Sequence, residues 1–469
     1  MKRSKKIYVL LGVLVVSGIA TFCVSRFTEQ KEQIKNSDKI IMEISDDSVQ
    51  SLSWECESGS FAFHKDKKWL YDEDKKFPVD EKKIEKLLKP FHKFGVSFVI
   101  EKVKDFGQYG LDDPTCTINL KTEKKSYKIL LGNYSNMDSE RYVSIGDGNV
   151  YLVKNDPLDQ YDITLKDMID HDDTPSFEKA SEIKFSGEQS YHIVYDENSD
   201  DTYSDDDVYF KKQDGGNLPL DTSRVDEYLN EITGLRLEDY VTYNATEEEL
   251  KKYGLDSPDL SVTVNYTAQE DEKETDRSFA LDISREPEEK AAAERLAEKG
   301  KGDPENEEIT AYARVGNSKI VYRISSDSYQ SLMDASYNSL RHQEVFWADF
   351  EDVKKIEVTL EGEKYTITSK ETKDGRVYYY QDEELKIGDL KDTLGSLKAK
   401  SFTDKQPSNK EEIRLEVSLD NDKHPEIQIA LYRYNGKECL TSVDGEPVSL
   451  IKRSDAVDLV EAVHAIVLR

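Results

Sequence analysis

The hexapeptide Tyr109-Gly110-Leu111-Asp112-Asp113-Pro114 returns almost unchanged as Tyr253-Gly254-Leu255-Asp256-Ser257-Pro258. A chain that carries the same corner twice is built from a repeated unit. The composition of the corner has a local physical origin. In the second copy Thr246 and Glu249 have the spacing of a capping box, which satisfies the first amides of a short helix, Glu247 to Tyr253. Gly254 then ends it, because the residue past a helix end often turns left-handed and only glycine does so cheaply. Leu255 is placed to touch the last turn, and Asp-x-Pro biases the chain toward extended geometry. In the first copy Asp105 and Gln108 stand where a box would close over one turn. A helix stop that feeds a strand accounts for every residue of the motif, so a structural role is expected rather than a binding loop.

The run of residues after each copy fits a strand. Cys116, Ile118 and Leu120 alternate with Thr117 and Asn119, as Leu260, Val262 and Val264 alternate with Ser261 and Thr263. This is the period of a half-buried strand. A third run, Ile413, Leu415, Val417 and Leu419, alternates in the same way, although its approach, Phe402 to Ser408, has lost the signature. Ahead of each run lie a hairpin pattern, a short aromatic strand and an amphipathic stretch. The aromatic strands are Trp69-Leu70-Tyr71, Val208-Tyr209-Phe210 and Val377-Tyr378-Tyr379. The helical stripes are Ile84, Leu87, Leu88 and Phe91 with Asp80 as cap, Val225, Leu229 and Ile232 with Asp221 as cap, and Leu390, Leu394 and Leu397 after Gly388-Asp389. Further strands and closing helices over Asp156 to Ile169, Ser326 to Leu340 and Ser454 to Val467 complete each unit. The expected fold is α+β, three tandem modules of antiparallel sheet covered by helices, because the connections are short.

Between equivalent tyrosines, 109 to 253 and 151 to 322, the spacings are 144 and 171, so module two carries 27 extra residues. Pro287 to Gly300 reads as an exposed charged helix within an insertion over about 284–308. The domain boundaries expected are a tail at 1–6, an anchor at 7–26, a tether at 27–39, and modules at 40–175, 176–344 and 345–469.

Lys2, Arg3, Lys5 and Lys6 precede an uncharged apolar run, Ile7 to Val24. As a helix it would be roughly 27 Å long, near the lower limit for crossing a bilayer. Positive charge before it predicts a single-pass anchor in the cell membrane, with the N-terminus cytoplasmic and the bulk of the chain outside. The alternative is a cleaved signal peptide, for which Gly18-Ile19-Ala20 is a marginal site, and Phe22 argues against lipid on Cys23. The net charge is −31, and the first twenty-seven residues carry five positive charges and no negative one, leaving about −36 on the remainder. That field repels phosphate backbones, so nucleic acid is not an expected partner.

Cys56 and Cys116 align with leucines of the repeat and are expected as small buried hydrophobes, with a bridge between them as the alternative. The acidic run Asp200-Asp201 and Asp205-Asp206-Asp207 offers carboxylates for calcium but lacks the spacing and glycine of a calcium loop, so a solvated hairpin tip is expected. His64, His92, His192, His342, His424 and His464 show no metal-ligand spacing, and no cofactor is expected. Signatures of serine hydrolases, zinc peptidases and phosphate-binding loops do not occur. A carboxylate pair acting on glycans stays open, because acid and base are set by separation in space. So does glycan binding by exposed aromatics among Tyr378, Tyr379 and Tyr380.

Tyr-Gly-Leu-Asp-x-Pro before a strand, followed by Arg141-Tyr142-Val143 and Val150-Tyr151-Leu152, resembles the bacterial family known as domain of unknown function 4340. The resemblance covers modules one and two by motif and module three by pattern. It implies tandem modules behind a membrane segment, an accessory role beside ABC transporters of the gliding-motility type, and no catalytic residues. The expectation is an anchored extracytoplasmic, non-enzymatic scaffold whose partners are the membrane and a transporter permease or another envelope protein.

Overall fold

The computed structural model describes residues 39–101, 103–177, 179–270, 273–299, 308–373 and 375–468. The expected tail, the anchor, Cys23 and nearly all of the tether lie outside the described residues, as does most of the acidic loop of the insertion. Among the described residues no helix is long and apolar enough to cross a membrane.

In the first module the strands are β1 (Lys39–Met42), β2 (Val49–Cys56), β3 (Gly59–Lys65), β4 (Trp69–Tyr71), β5 (Phe94–Val96), β6 (Phe98–Ile100), β7 (Cys116–Thr122), β8 (Ser126–Ser135), β9 (Glu140–Ser144) and β10 (Val150–Val153). The second has β11 (Lys179–Gly187), β12 (Tyr191–Tyr195), β13 (Tyr209–Lys211), β14 (Leu218–Pro219), β15 (Tyr240–Thr242), β16 (Leu260–Glu270), β17 (Lys273–Arg285), β18 (Ala311–Val315) and β19 (Val321–Ile324). The third has β20 (Val353–Leu360), β21 (Glu363–Thr372), β22 (Gly375–Tyr380), β23 (Glu383–Leu385), β24 (Ser401–Phe402), β25 (Glu411–Leu419), β26 (Glu426–Arg433), β27 (Glu438–Val443) and β28 (Glu446–Lys452).

One strand order serves all three, the first sheet lacking only the outermost strand that the other two add beyond the equivalent of β4. The sheets run β4-β3-β2-β7-β8-β9-β10-β6, β14-β13-β12-β11-β16-β17-β18-β19-β15 and β23-β22-β21-β20-β25-β26-β27-β28-β24, while β1 and β5 form a separate pair. The likeness extends to single residues. The central pairs close on Cys56 opposite Cys116, Gly187 opposite Leu260 and Leu360 opposite Ile413. Five residues upstream of each, the register slips by one at Ser51, Glu182 and Lys355. A β-bulge kept at one position in three sheets is a feature of the repeat, since bulges fix where a sheet bends. Alternation fills the core: Ile356, Val358 and Leu360 of β20 face Ile413, Leu415 and Val417 of β25, all buried. The helices Glu81–Leu88, Thr222–Thr233 and Gly388–Gly395 bury their apolar stripes, and Asp80 and Asp221 cap the first two through backbone amides at 2.8 Å and 3.0 Å.

The chain divides into two compact units. One holds residues up to Asp172 with Thr242–Asn244, and the other holds Asp173–Val241 and Ala245–Arg469, so the second and third sheets share a unit.

Two expectations need correcting, the continuity of the closing helices and the state of the cysteines. Only the last closing helix, Arg453–Val467, is continuous. In module one a single turn, Leu158–Tyr161, gives way to a 3-10 turn, Leu165–Met168, because Thr164 and Asp167 close a capping box of their own. Module two breaks between Ser326–Met333 and Tyr337–Leu340, where the Ser336 hydroxyl accepts from the Ser339 amide. Cys56 and Cys116 are joined in a disulfide, their Cα atoms 4.3 Å apart. Leucine-equivalent positions on facing strands stand directly opposite one another, and two cysteines placed there meet. The insertion helix, Pro287–Glu298, buries none of its residues and is held by Arg285 on Glu289 at 3.0 Å.

Candidate functional site

The hallmark corners are structural clamps. Thr246 and Glu249 form the capping box, the Glu249 amide donating to the Thr246 hydroxyl at 3.2 Å and the Thr246 amide to the Glu249 carboxylate at 2.9 Å. Gly254 is left-handed at φ +74, and the Leu255 amide reaches back to the Leu250 carbonyl at 2.8 Å. In the first copy Asp105 accepts from the Gly107 amide, but the Gln108 side-chain amide donates to the Asp105 carbonyl, so the reciprocal half is missing. A 3-10 turn, Gly107–Tyr109, replaces the helix. Both leucines are buried, Leu111 and Leu255 at 3% exposure each, and the tyrosines pack on equivalent partners, Tyr109 on Tyr142 and Tyr253 on Tyr312. A Cβ on Gly110 would lie 2.9 Å from the Asn133 amide, and one on Gly254 2.5 Å from the Ser284 hydroxyl. Asp112 and Asp256 are exposed, and Pro114 and Pro258 lead into β7 and β16.

The acidic run does not converge on one point. Asp200 pairs with Lys423 at 2.9 Å, Asp201 accepts from the Asn217 amide at 2.8 Å, and Asp205 and Asp206 are exposed. Asp207 differs: it is buried at 4% exposure, shortly before β13. The Asp206 carbonyl accepts from the Thr222 hydroxyl at 2.7 Å, and that hydroxyl accepts from the Val208 amide at 3.1 Å, so both neighbours of Asp207 are tied to the helix Thr222–Thr233. Its carboxylate receives Thr202 Oγ1 at 2.6 Å, Trp347 Nε1 at 3.2 Å and His342 Nε2 at 2.8 Å. An ionised carboxylate only accepts, so Nε2 is the donor in this pair and Nδ1 is the ring nitrogen that Asp207 does not engage. The imidazole stacks on Trp347, centroids 4.3 Å apart and planes within 10°.

Beside this pair, one donor atom each of Asp221, His342 and Glu344 lies within 4.8 Å of the other two. The backbone fixes all three. The Asp221 amide donates to the Leu340 carbonyl at 3.1 Å, and Gln343 and Val345 pair with Ala399 and Leu397 at 2.7 Å and 2.9 Å. His342 and Glu344, two apart on this extended stretch, share a side. Lys398 neutralises Glu344 at 2.8 Å and Arg224 approaches Asp221 at 3.4 Å. Burial works to raise the Glu344 carboxyl, but the Lys398 hydrogen bond, its own backbone amide and neighbouring positive charge hold it below the usual range. These residues can hold a cation. Sequence reading missed them because Asp221 and His342 are 121 positions apart; His342-x-Glu344 is the only local hint.

A second locus lies in module one. A cleft of about 280 Å³ is lined by Phe98, Ile100, Tyr142 and Leu152, with Ser97, Asp138 and Glu140. Glu140 is buried and accepts from the Ser97 hydroxyl; Asp138 accepts from Ser135 at 2.9 Å. Both carboxylates of the cleft are therefore engaged by serines. Phe98, on the edge strand β6, is 52% exposed, and the β8–β9 hairpin exposes Tyr134 and Met137, the latter at 91%. Beneath that hairpin Arg141 meets Asp156 through Nε at 2.6 Å and the Gly132 carbonyl at 2.6 Å.

The three tyrosines of β22 do not form a platform. Tyr378 is buried and donates to the Phe350 carbonyl at 2.6 Å, Tyr380 packs against the same core, and only Tyr379 faces away, under Lys370.

The profile of the family described as Domain of unknown function (DUF4340) matches residues 69–209 and 211–421. The first match opens in β4 and closes in β13, the equivalent strand of the next sheet, so it spans one full turn of the repeat, cut elsewhere in the cycle. No curated protein and no solved structure matches the chain.

Proposed function

Because the chain belongs to the domain of unknown function 4340 family, we propose that it is a membrane-anchored, extracytoplasmic, non-catalytic accessory protein that docks on the permease of an ABC-type transporter through module one. The observation that carries this reading is that Phe98, 52% exposed on the edge strand, lines the module-one cleft, and Met137, 91% exposed, neighbours Asp138 on the cleft's other wall. Isolated exposed apolar residues are ordinary, but large ones flanking a cleft lined by Phe98, Ile100, Tyr142 and Leu152 are what a protein contact would use. Two further features support it. The Cys56–Cys116 disulfide suits an oxidising compartment. The basic, then apolar, N-terminus would hold module one close to the bilayer, where a permease is within reach.

Affinity purification of the full chain from solubilised membranes tests it. A permease should co-purify with the parent protein and be lost with Phe98→Asp combined with Met137→Asp, both surface changes that leave the sheets intact. Co-purification unchanged in that variant, or sedimentation of the parent with wall glycan instead, would remove the reading.

A further inference from the structure

We propose that Asp221, His342 and Glu344 form a site for a divalent transition ion of the zinc type, with Asp207 as the group that orients His342. The donor set is one imidazole and two carboxylates, whose paired negative charge balances a doubly charged ion. A nitrogen donor favours such ions over calcium or magnesium, which take oxygen. Catalytic zinc sites use three protein ligands and leave a position open, and this set has that number.

The feature that separates the trio from an ordinary acidic patch is the Asp207–His342 pair. A metal-bound histidine characteristically donates its other ring N–H to a carboxylate, which fixes the ring and the tautomer. Here a buried carboxylate accepts a hydrogen bond from Nε2 at 2.8 Å and Trp347 clamps the ring face, so Nδ1 is the ring atom that the proposal assigns to the ion. The backbone ties at Asp221, Gln343 and Val345 hold the other donors before any ion arrives. Lys398 and Arg224 stand where the ion's charge would be felt, and both side chains are well exposed, at 61% and 40%. They can swing aside. Ligands around zinc sit about 2.0–2.2 Å from the metal, so donors separated by up to 4.8 Å must draw in by about 1 Å, a movement the half-buried Glu344 side chain allows. The stretch at 341–345 joins module two to module three, and an ion there would staple that junction.

Titration of the metal-stripped full chain in mild detergent with zinc, followed by calorimetry in excess calcium and magnesium, decides the matter. One equivalent should bind. His342→Ala and Glu344→Gln should each weaken it at least about tenfold, and Asp207→Asn about ten- to a hundredfold. Lys398→Ala should bind more tightly, because it removes the competing cation; a site of merely structural charge pairs would not respond so. If His342→Ala does not fold, Glu344→Gln and Lys398→Ala carry the test. Absence of zinc binding by the parent chain, or equal binding by parent, Glu344→Gln and Lys398→Ala, would overturn the proposal.

Discussion

Gly254 combines two demands that no other residue meets: a backbone at φ +74, and a strand so close that any Cβ would press on Ser284. Gly254→Ala should therefore destabilise the second unit by about 2 kcal/mol or more, since both the left-handed strain and the contact must be relieved. Urea denaturation of the variant checks this, and a loss below half that value would show that the corner yields. The role of this glycine was legible in the sequence because helix cap, glycine and following leucine are local signals. That of Asp207 was not. It reads as one more residue of an acidic run, and its burial depends on Thr202, His342 and Trp347, of which the last two are more than a hundred positions away. Buried polar groups need partners, but sequence does not say which partners a fold will bring.

At the scale of elements, the short helix Glu247–Lys252 buries none of its own residues and depends on its capping box to start. Thr246→Ala should cost about 1 kcal/mol, read as faster hydrogen exchange at the Glu249 amide with little change in the core strands. The strands of the sheet centres were legible because alternation over seven or more residues is a strong signal, as in β7, β16 and β25. The edge strands β6, β15 and β24 were not, being two or three residues long and paired with strands far along the chain. The closing helices were over-extended for a related reason: apolar spacing continues through Asp162 and Asp334, while serine and threonine caps just beyond restart the turn. Periodicity marks which face is buried, and capping decides where a helix stops.

For the whole molecule, the three-fold repeat was legible from two hexapeptides and a third alternating run, yet the shared bulge position was not. Three sheets with one strand order and one bulge position, including a third that lacks the motif, show that the sheet is what was kept and the corner is one way to turn it. The two compact units predict two unfolding transitions, because domains with separate cores need not melt together. Cys56→Ala with Cys116→Ala should weaken the first unit by about 2–4 kcal/mol and leave the other transition in place; scanning calorimetry of the pair of proteins checks this, and a single transition that shifts as one would contradict it.

The bond between β2 and β7 also closes part of the chain into a ring, its two ends 60 positions apart in sequence. A protease that nicks the backbone anywhere between Glu57 and Thr115, the exposed hairpin and helix included, severs a peptide without releasing a fragment. Such a clipped molecule keeps β2 and β7 covalently joined where they pair, so the two sides of the first sheet stay tethered.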